Sequence, residues 1–197
     1  MDNNLSFYSE NSDSLVSQYD SVSFASVHRD WLKHIPTYGT VLDVGAGSGR
    51  DARYLSVQGL KVYAVEPASA LMQTAKNNSL EHGITWYQDS LPCLEQVKVL
   101  GIQFDLILLS AVWMHLSFEE RSLSMKNMAS LLNAGGKLVI TLRHGAFSDG
   151  RTAFPVSAEE VCQLCEQNGL SLLLKTDLLD DQLGRDDVVW QTVILSK

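Results

Sequence analysis

The chain has 197 residues, of which 45% are hydrophobic and 19% are charged. This length and balance predict one globular domain with a sizeable core, and they exclude a disordered or fibrous chain. The formal net charge of -8 argues against tight binding to bulk nucleic acid or to an anionic membrane, because phosphate groups bind to cationic surfaces.

The N-terminal region divides into two parts. Residues 1–14 are polar and acidic, so we expect them to fray. They lack the basic and apolar parts of a secretory signal. Residues 15–35 carry apolar side chains at helical spacing and precede Pro36, which predicts amphipathic helix in one or two pieces.

The rest of the chain alternates between strand and helix patterns. Predicted strands cover residues 40–44, 60–65, 84–88, 104–111 and 137–142, with helices between them. This alternation predicts an α/β fold with a doubly wound, mostly parallel sheet. Ser157 opens a further helix with the Ser-x-x-Glu form of a capping box. Residues 170–176 and 188–195 predict a final antiparallel pair, because their connection has no helical pattern.

Cysteine content and hydropathy indicate a cytoplasmic protein. Three cysteines are an odd number and too few for a disulfide scaffold, which favours a reducing compartment. No apolar run reaches the length of about 18 residues that a membrane-spanning helix needs. Cys162 and Cys165 lie on a predicted helix without further ligands nearby, so we expect core packing and no metal.

A glycine-rich loop follows the first predicted strand, in the sequence Asp-Val-Gly-Ala-Gly-Ser-Gly at residues 43–49. Glycines permit a tight turn and let a ligand approach the backbone N–H groups. A dinucleotide-binding fingerprint would place its third glycine at position 50, where this chain has Arg50. The absence of Gly-Lys-Ser/Thr excludes a P-loop.

Three acidic residues stand at the ends of the first three predicted strands: Asp43, Glu66 and Asp89. In an open parallel sheet these ends share one edge, where ligands bind. The carboxylates would repel a pyrophosphate and favour a ligand with a cationic end, a ribose diol and an exocyclic amine. Glu66 can accept both ribose hydroxyls, Asp89 an adenine N–H, and Asp43 an ammonium, directly or through water.

These motifs resemble those of class I S-adenosylmethionine-dependent methyltransferases, of the small bacterial kind that act on diffusible molecules. The resemblance spans roughly residues 15–197 and includes, in order, residues 43–49, 66–67, 89–92, 104–111 and 131–140. It implies a Rossmann-like seven-stranded sheet of order 3-2-1-4-5-7-6. It also implies a cofactor domain over residues 37–197, with residues 1–36 as a helical lid that brings Tyr19 and His28 within reach of the site.

The same resemblance implies a methyltransferase with S-adenosylmethionine as cofactor, S-adenosylhomocysteine as product, a small-molecule acceptor and no metal. The chain would act as a monomer or homodimer. The implied cofactor residues are Asp43, Gly45, Ala46, Gly47, Gly49, Glu66, Pro67, Asp89, Ser90, Leu91, Ser110 and Ala111.

Residues after the fourth and fifth strands are candidates for the acceptor side. Methyl transfer is an in-line displacement, so positioning supplies much of the rate and a general base adds to it. His115 is the candidate base, although it could instead pack against the cofactor loop or cap the next helix. Trp113 and His115 could also contact the acceptor, with core packing as the alternative for Trp113.

An arginine at the end of the fifth predicted strand is a further candidate for contact with the acceptor. Arg143 could hold a substrate carboxylate or phosphate in a fork, or could pair with Asp149. Arg151 and Arg185 are expected to be solvated loop charges.

Two other functions remain open. A non-catalytic module that binds the cofactor would need the same carboxylates, whereas a nicotinamide oxidoreductase is opposed by Arg50. The fourth strand ends in Ser-Ala-Val-Trp at residues 110–113. It lacks the Asn/Asp-Pro-Pro-aromatic signature that resembles enzymes methylating nucleic-acid amines, which argues against DNA or RNA as substrate.

Overall fold

The computed structural model describes residues 3–197, so positions 1 and 2 of the predicted N-terminal region lie outside the described residues. The helices are α1 Asn3–Glu10, α2 Ser12–Asp20, α3 Phe24–Val27, α4 Arg50–Val57, α5 Ser69–Asn77, α6 Glu95–Val99, α7 Phe118–Leu131 and α8 Ala158–Gln167. The strands are β1 Thr40–Val44, β2 Lys61–Val65, β3 Thr85–Tyr87, β4 Phe104–Ser110, β5 Leu132–His144, β6 Ser171–Lys175, β7 Leu179–Asp180 and β8 Val189–Ser196.

The strands form one sheet in the order β3-β2-β1-β4-β5-β8-β6, with β7 paired to β8. Strands β1 to β5 are parallel, and β8 runs antiparallel to β5, β6 and β7. The predicted fold class and strand order are confirmed. The two-residue strand β7 lies in the predicted final connection, where a segment this short carries no alternation pattern to reveal it.

The sheet is covered on both faces, as the long apolar run in β4 predicts. Leu106 and Leu108 belong to one buried cluster, whereas Ile107 and Leu109 belong to the other. Successive side chains of a strand point to opposite faces, so β4 contributes to both halves of the core.

The described N-terminal residues are helical, so the prediction of a frayed segment is wrong for them. Leu5 and Tyr8 of α1 pack against a small buried cluster of Val16, Ala68 and Leu71. A helix of this length is marginal in isolation, and contact with α5 stabilises it. The predicted helix over residues 15–35 is divided into α2, α3 and a 3-10 turn at Leu32–His34.

Helix boundaries differ from the predictions at two places. Helix α7 passes directly into β5 at Leu132, although glycines at 135 and 136 predicted a turn. The predicted capping box at Ser157 is incomplete, because the Glu160 carboxylate accepts a hydrogen bond from Arg121 at 2.8 Å. A complete box occurs at Ser117, the N-cap of α7.

Over residues 3–197, no helix is both long and apolar enough to cross a membrane.

Candidate active site

A cavity of about 340 Å³ lies at the carboxyl edge of the parallel strands. Residues from the ends of β1, β2, β3, β4 and β5 contribute to its wall, together with α1, α2 and loops near the C-terminus. Most of the predicted site residues meet there: Asp43, Gly45, Ala46, Gly47, Glu66, Pro67, Asp89, Ser90, Leu91, Ser110, Ala111, His115 and Arg143.

Three residues from the sequence analysis lie away from the cavity wall. Gly49 is the N-cap of α4 and packs beside Trp86. Trp113 is fully buried in the core, so its predicted acceptor contact is wrong. His28 is also buried; its Nε2 lies 2.8 Å from Asp51, and its Nδ1 accepts a hydrogen bond from Trp31.

The glycine loop is fixed by backbone hydrogen bonds. Gly45 and Gly47 have φ values of 71° and 56°, which favour glycine. The N–H groups of Gly45 and Ala46 both donate to the carbonyl of Val65, at 2.8 and 2.9 Å. The loop after β1 is therefore attached to the end of β2.

Glu66 connects the loop to the next helix. Its Oε2 accepts the N–H of Gly47 at 3.0 Å, and its Oε1 accepts the N–H of Ala68 at 2.9 Å. The side chain is buried, which raises the pKa of this carboxyl group to about 7 although both hydrogen bonds oppose the shift. Each carboxylate oxygen can accept further hydrogen bonds, so Glu66 keeps capacity for a ligand hydroxyl.

Asp43 is a buried acid with an unused oxygen. Its Oδ2 is buried and has no hydrogen-bond partner among the described residues. Burial raises the pKa of Asp43 well above its usual range, and the negative charges of Asp51 and Glu66 add to the effect. A cationic group bound in the cavity would therefore stabilise the ionised form of Asp43.

Asp89 holds its own loop as well as lining the cavity. Its Oδ1 accepts the N–H of Ser90 at 2.8 Å. Its Oδ2 accepts the N–H groups of Gln96 and Val97, at 2.8 and 3.1 Å. The carboxylate thereby fixes residues 89–97 and caps α6.

The chain reverses sharply where β4 ends. Ala111 has a φ of 61°, a left-handed conformation that is strained for a residue with a Cβ atom. Its N–H donates to the hydroxyl of Thr141 on β5 at 2.8 Å, which holds this conformation beside the cavity. Thr141 could not be singled out from the sequence, because its partner is 30 residues away.

His115 also lines the cavity. Its Nε2 is 2.9 Å from the Tyr8 hydroxyl, and its Nδ1 is 3.2 Å from both the Asn4 amide nitrogen and the Thr152 carbonyl oxygen. The ring of Phe147 stacks on its ring at a centroid distance of 5.5 Å. The imidazole is thus oriented by residues from α1 and from the loop after β5.

Arginines line the cavity as well, contrary to the prediction of solvated charges. Arg151 is only 10% exposed in its side chain and binds Asp149, so Asp149 is not the partner of Arg143. Arg185 is 32% exposed and binds Asp181. Both residues line the cavity, because the loops that carry them fold back over the sheet edge.

Several cavity residues were missed by the sequence analysis, among them Asn4, Tyr8 and Phe147. The spacing of Leu5 and Tyr8 was a weak signal for a helix within the polar N-terminal run. Phe147 follows the fifth strand but belongs to no periodic pattern, so its place could not be predicted. Within residues 3–197, no group of three or more His, Cys, Asp or Glu side chains could hold a metal ion.

The strand order is that of the class I methyltransferase fold. Solved structures of methyltransferases have the same fold. A TehB-like S-adenosylmethionine-dependent methyltransferase from Corynebacterium glutamicum has a TM-score of 0.70 at 24% identity, with 98% of both chains covered. The magnesium protoporphyrin IX methyltransferase of Synechocystis, solved with bound S-adenosylhomocysteine, has a TM-score of 0.69 at 16% identity. That comparison covers 92% of this chain and 84% of the other.

Sequence comparison also finds methyltransferases. Residues 41–136 match the family model of a methyltransferase domain. An uncharacterized methyltransferase of Alkaliphilus oremlandii is 32% identical over 108 residues, which cover 52% of this chain and 44% of that protein. A second uncharacterized methyltransferase, from Bacillus cytotoxicus, is 29% identical over 103 residues, which cover 52% of this chain and 46% of that protein. The chain thus matches less than half the length of these relatives.

The buried Glu66 should make stability depend on pH. Its folded pKa of about 7 exceeds the ordinary value of 4.5, so its stabilising contribution is complete below pH 4.5 and is lost as the pH rises to about 7. We expect the free energy of unfolding to fall by up to about 3 kcal/mol over this interval from this group alone. Glu66→Gln should remove that part of the pH dependence in denaturant titrations of the cofactor-free protein.

Glu81→Gln is the matched control, because Glu81 is exposed. The assignment would be wrong if Glu66→Gln and Glu81→Gln had the same pH dependence as the unaltered protein.

Proposed function

We propose that the chain is an S-adenosylmethionine-dependent methyltransferase that methylates a small molecule. The observation that carries this proposal is the convergence of Asp43, Glu66 and Asp89 on one cavity beside the glycine loop. The match of residues 41–136 to the family model of a methyltransferase domain supports the proposal independently. The activity of the whole protein remains a proposal, since the curated relatives are matched over less than half their length.

The cavity residues fit the parts of this cofactor. Asp43 offers a buried, unpartnered oxygen to the ammonium group, and Glu66 offers carboxylate oxygens to the ribose hydroxyls. Asp89 and the backbone of Ser90 and Leu91 would contact adenine, while the carbonyl of Ser110 or Ala111 would receive the ammonium. When bound, the cofactor supplies an electrophilic methyl group on a sulfonium sulfur. The glycine loop, Pro67 and Ala46 would form the surrounding wall.

His115 is our candidate for the general base. Its Nε2 lies 2.9 Å from the Tyr8 hydroxyl, so a proton released by the acceptor would reach Nε2 through that hydroxyl. Asn4 and Phe147 hold the imidazole plane. A non-catalytic binding module would keep the cofactor contacts but would not need this arrangement, and turnover separates the two functions.

Residues 1–36 form the proposed lid. Tyr8 and Tyr19 line the cavity, and the end of α2 is attached to the glycine loop. Asp20 accepts hydrogen bonds from Ser48 and Arg53, both at 2.7 Å, and Arg50 donates to the carbonyl of Tyr19 at 3.2 Å. Entry and release of the cofactor would require these contacts to open.

The cofactor assignment is tested by calorimetric titration with S-adenosylmethionine, S-adenosylhomocysteine and NAD. We expect binding of the first two, and a loss of affinity of about ten- to a hundredfold in Asp43→Asn, because a charged hydrogen bond is removed. The same substitution removes a buried repulsive charge, so the variant should be at least as stable as the unaltered protein. Binding of NAD alone would contradict the proposal.

The role of His115 is tested by His115→Gln in a metabolite screen that detects S-adenosylhomocysteine release. Loss of the base should lower kcat by about 10²–10⁴-fold, with cofactor affinity changed little. Tyr8→Phe should also lower kcat, since it interrupts the route to Nε2. An unaltered kcat in His115→Gln at saturating substrates would remove His115 from this role.

The lid is tested by Asp20→Ala, which removes the contacts to Ser48 and Arg53. We expect both the association and the dissociation rate constants of S-adenosylmethionine to rise by about 3- to 10-fold, because opening becomes easier. Asp13→Ala, at an exposed position of the same helix, is the control. Equal rate constants in the two variants would contradict a gating role for Asp20.

A further inference from the structure

Arg143, at the end of β5, is a buried cation with spare hydrogen-bonding capacity. The residue is 6% exposed and lines the cavity. Its Nη1 donates to the carbonyl of Gly145, and Nη1 and Nη2 share the carbonyl of Ala146 at 3.4 and 3.3 Å. Nε is buried without a partner among the described residues. The Nε–H group therefore has no acceptor among the described residues, while its neighbour Nη2 makes the long bond to Ala146.

Arg143 has no direct salt bridge among the described residues. Arg151 binds Asp149 at 2.6 Å and Arg185 binds Asp181 at 2.7 Å, whereas no carboxylate within the described part of the chain forms an ion pair with Arg143. Burial lowers the pKa of Arg143 and the nearby charges of Arg185 and Arg151 lower it further, while the charges of Asp187 and Asp181 act in the opposite direction. A buried cation of this kind is unfavourable unless an anion is brought to it.

Phe147 connects these arginines to the proposed base. Its ring centroid lies 4.1 Å from the Arg143 guanidinium carbon and 3.9 Å from that of Arg151. The same ring stacks on His115. An acceptor whose anionic group binds Arg143 would therefore have its body beside Phe147 and a nucleophile within reach of the His115 end of the cavity.

We infer that the methyl acceptor carries an oxyanion, a carboxylate or a phosphoryl group, and that Arg143 binds it through the Nε–Nη2 edge. A planar guanidinium matches two oxygens of either group in a fork, which an ammonium cannot reproduce. Nε is covered in this structure, so the side chains around it must move for the anion to reach this edge. The inference rests on the proposed function, because it assigns the acceptor half of the same cavity.

The experiment uses three probes of one shape: benzoate, phenyl phosphate and neutral benzamide. Their affinities are measured by NMR titration of the full chain saturated with S-adenosylhomocysteine. We expect at least one anion to bind tenfold or more tightly than benzamide. The anion that binds more tightly shows whether the anionic group of the acceptor is a carboxylate or a phosphoryl group.

Variants assign the discrimination to Arg143. Arg143→Gln should lose about ten- to a hundredfold in affinity for the preferred anion, because a charged hydrogen-bonded pair is removed. Arg143→Lys keeps the charge without the fork. Its affinity for the preferred anion should lie between those of the unaltered protein and Arg143→Gln. Arg29→Gln is the control, since Arg29 lines the cavity but is 54% exposed in its side chain.

The outcomes separate this inference from the proposed function. Equal affinities for the anions and benzamide, or no loss in Arg143→Gln, would overturn the anionic acceptor while S-adenosylhomocysteine still binds. Failure of S-adenosylhomocysteine to bind would contradict the methyltransferase instead. If Arg143 only supported its loop, Arg143→Gln would weaken benzamide and the anions alike.

Discussion

The structure depends on carboxylates that are buried where parallel strands end. Asp43 and Glu66 lie next to each other in the interior of the carboxyl edge, where loss of water disfavours their charges. Glu66 reduces this penalty by accepting two backbone N–H groups, and those bonds determine the path of the glycine loop. One buried oxygen of Asp43 has no hydrogen-bond partner among residues 3–197. The fold thus places two carboxyl groups at the carboxyl edge of the sheet, where a cationic ligand would stabilise their ionised forms.

The cavity has two electrostatic halves. The half beside β1, β2 and β3 contains Asp43, Glu66 and Asp89, and the half beside β5 contains Arg143 and Arg151. Groups of opposite charge therefore line one cavity, which would orient a ligand pair of opposite charge. A sulfonium nucleoside and an anionic acceptor would be brought together in that arrangement.

The second half is assembled from segments distant in the chain. Tyr8 of α1, His115 after β4 and Arg151 after β5 form one hydrogen-bonded group, because Arg151 donates to the Tyr8 hydroxyl at 3.0 Å and that hydroxyl contacts His115. Arg143 and Phe147 belong to the same neighbourhood. Movement of the N-terminal helices would therefore alter the proposed base and the acceptor surface together.

The sheet and the proposed cofactor half of the cavity could be predicted from the sequence alone. Strand–helix alternation predicts parallel strands, and parallel strands bring their carboxyl ends to one edge, so Asp43, Glu66 and Asp89 could be grouped without coordinates. Gly45 and Gly47 could be predicted for the same reason, since the loop that carries them directly follows β1. The burial of Trp113 and His28 could not be predicted in this way, because the direction of a side chain in a loop or short helix depends on packing.

The proposed acceptor half of the cavity depends on the tertiary fold. Asn4 and Tyr8 stand in a polar segment, and Phe147 and Arg151 in a loop, where no periodic pattern fixes a conformation. Their positions follow from long-range contacts, such as the 143 residues that separate Arg151 from Tyr8. Local sequence sets local backbone preference, whereas such contacts form only after the sheet has brought its loops together.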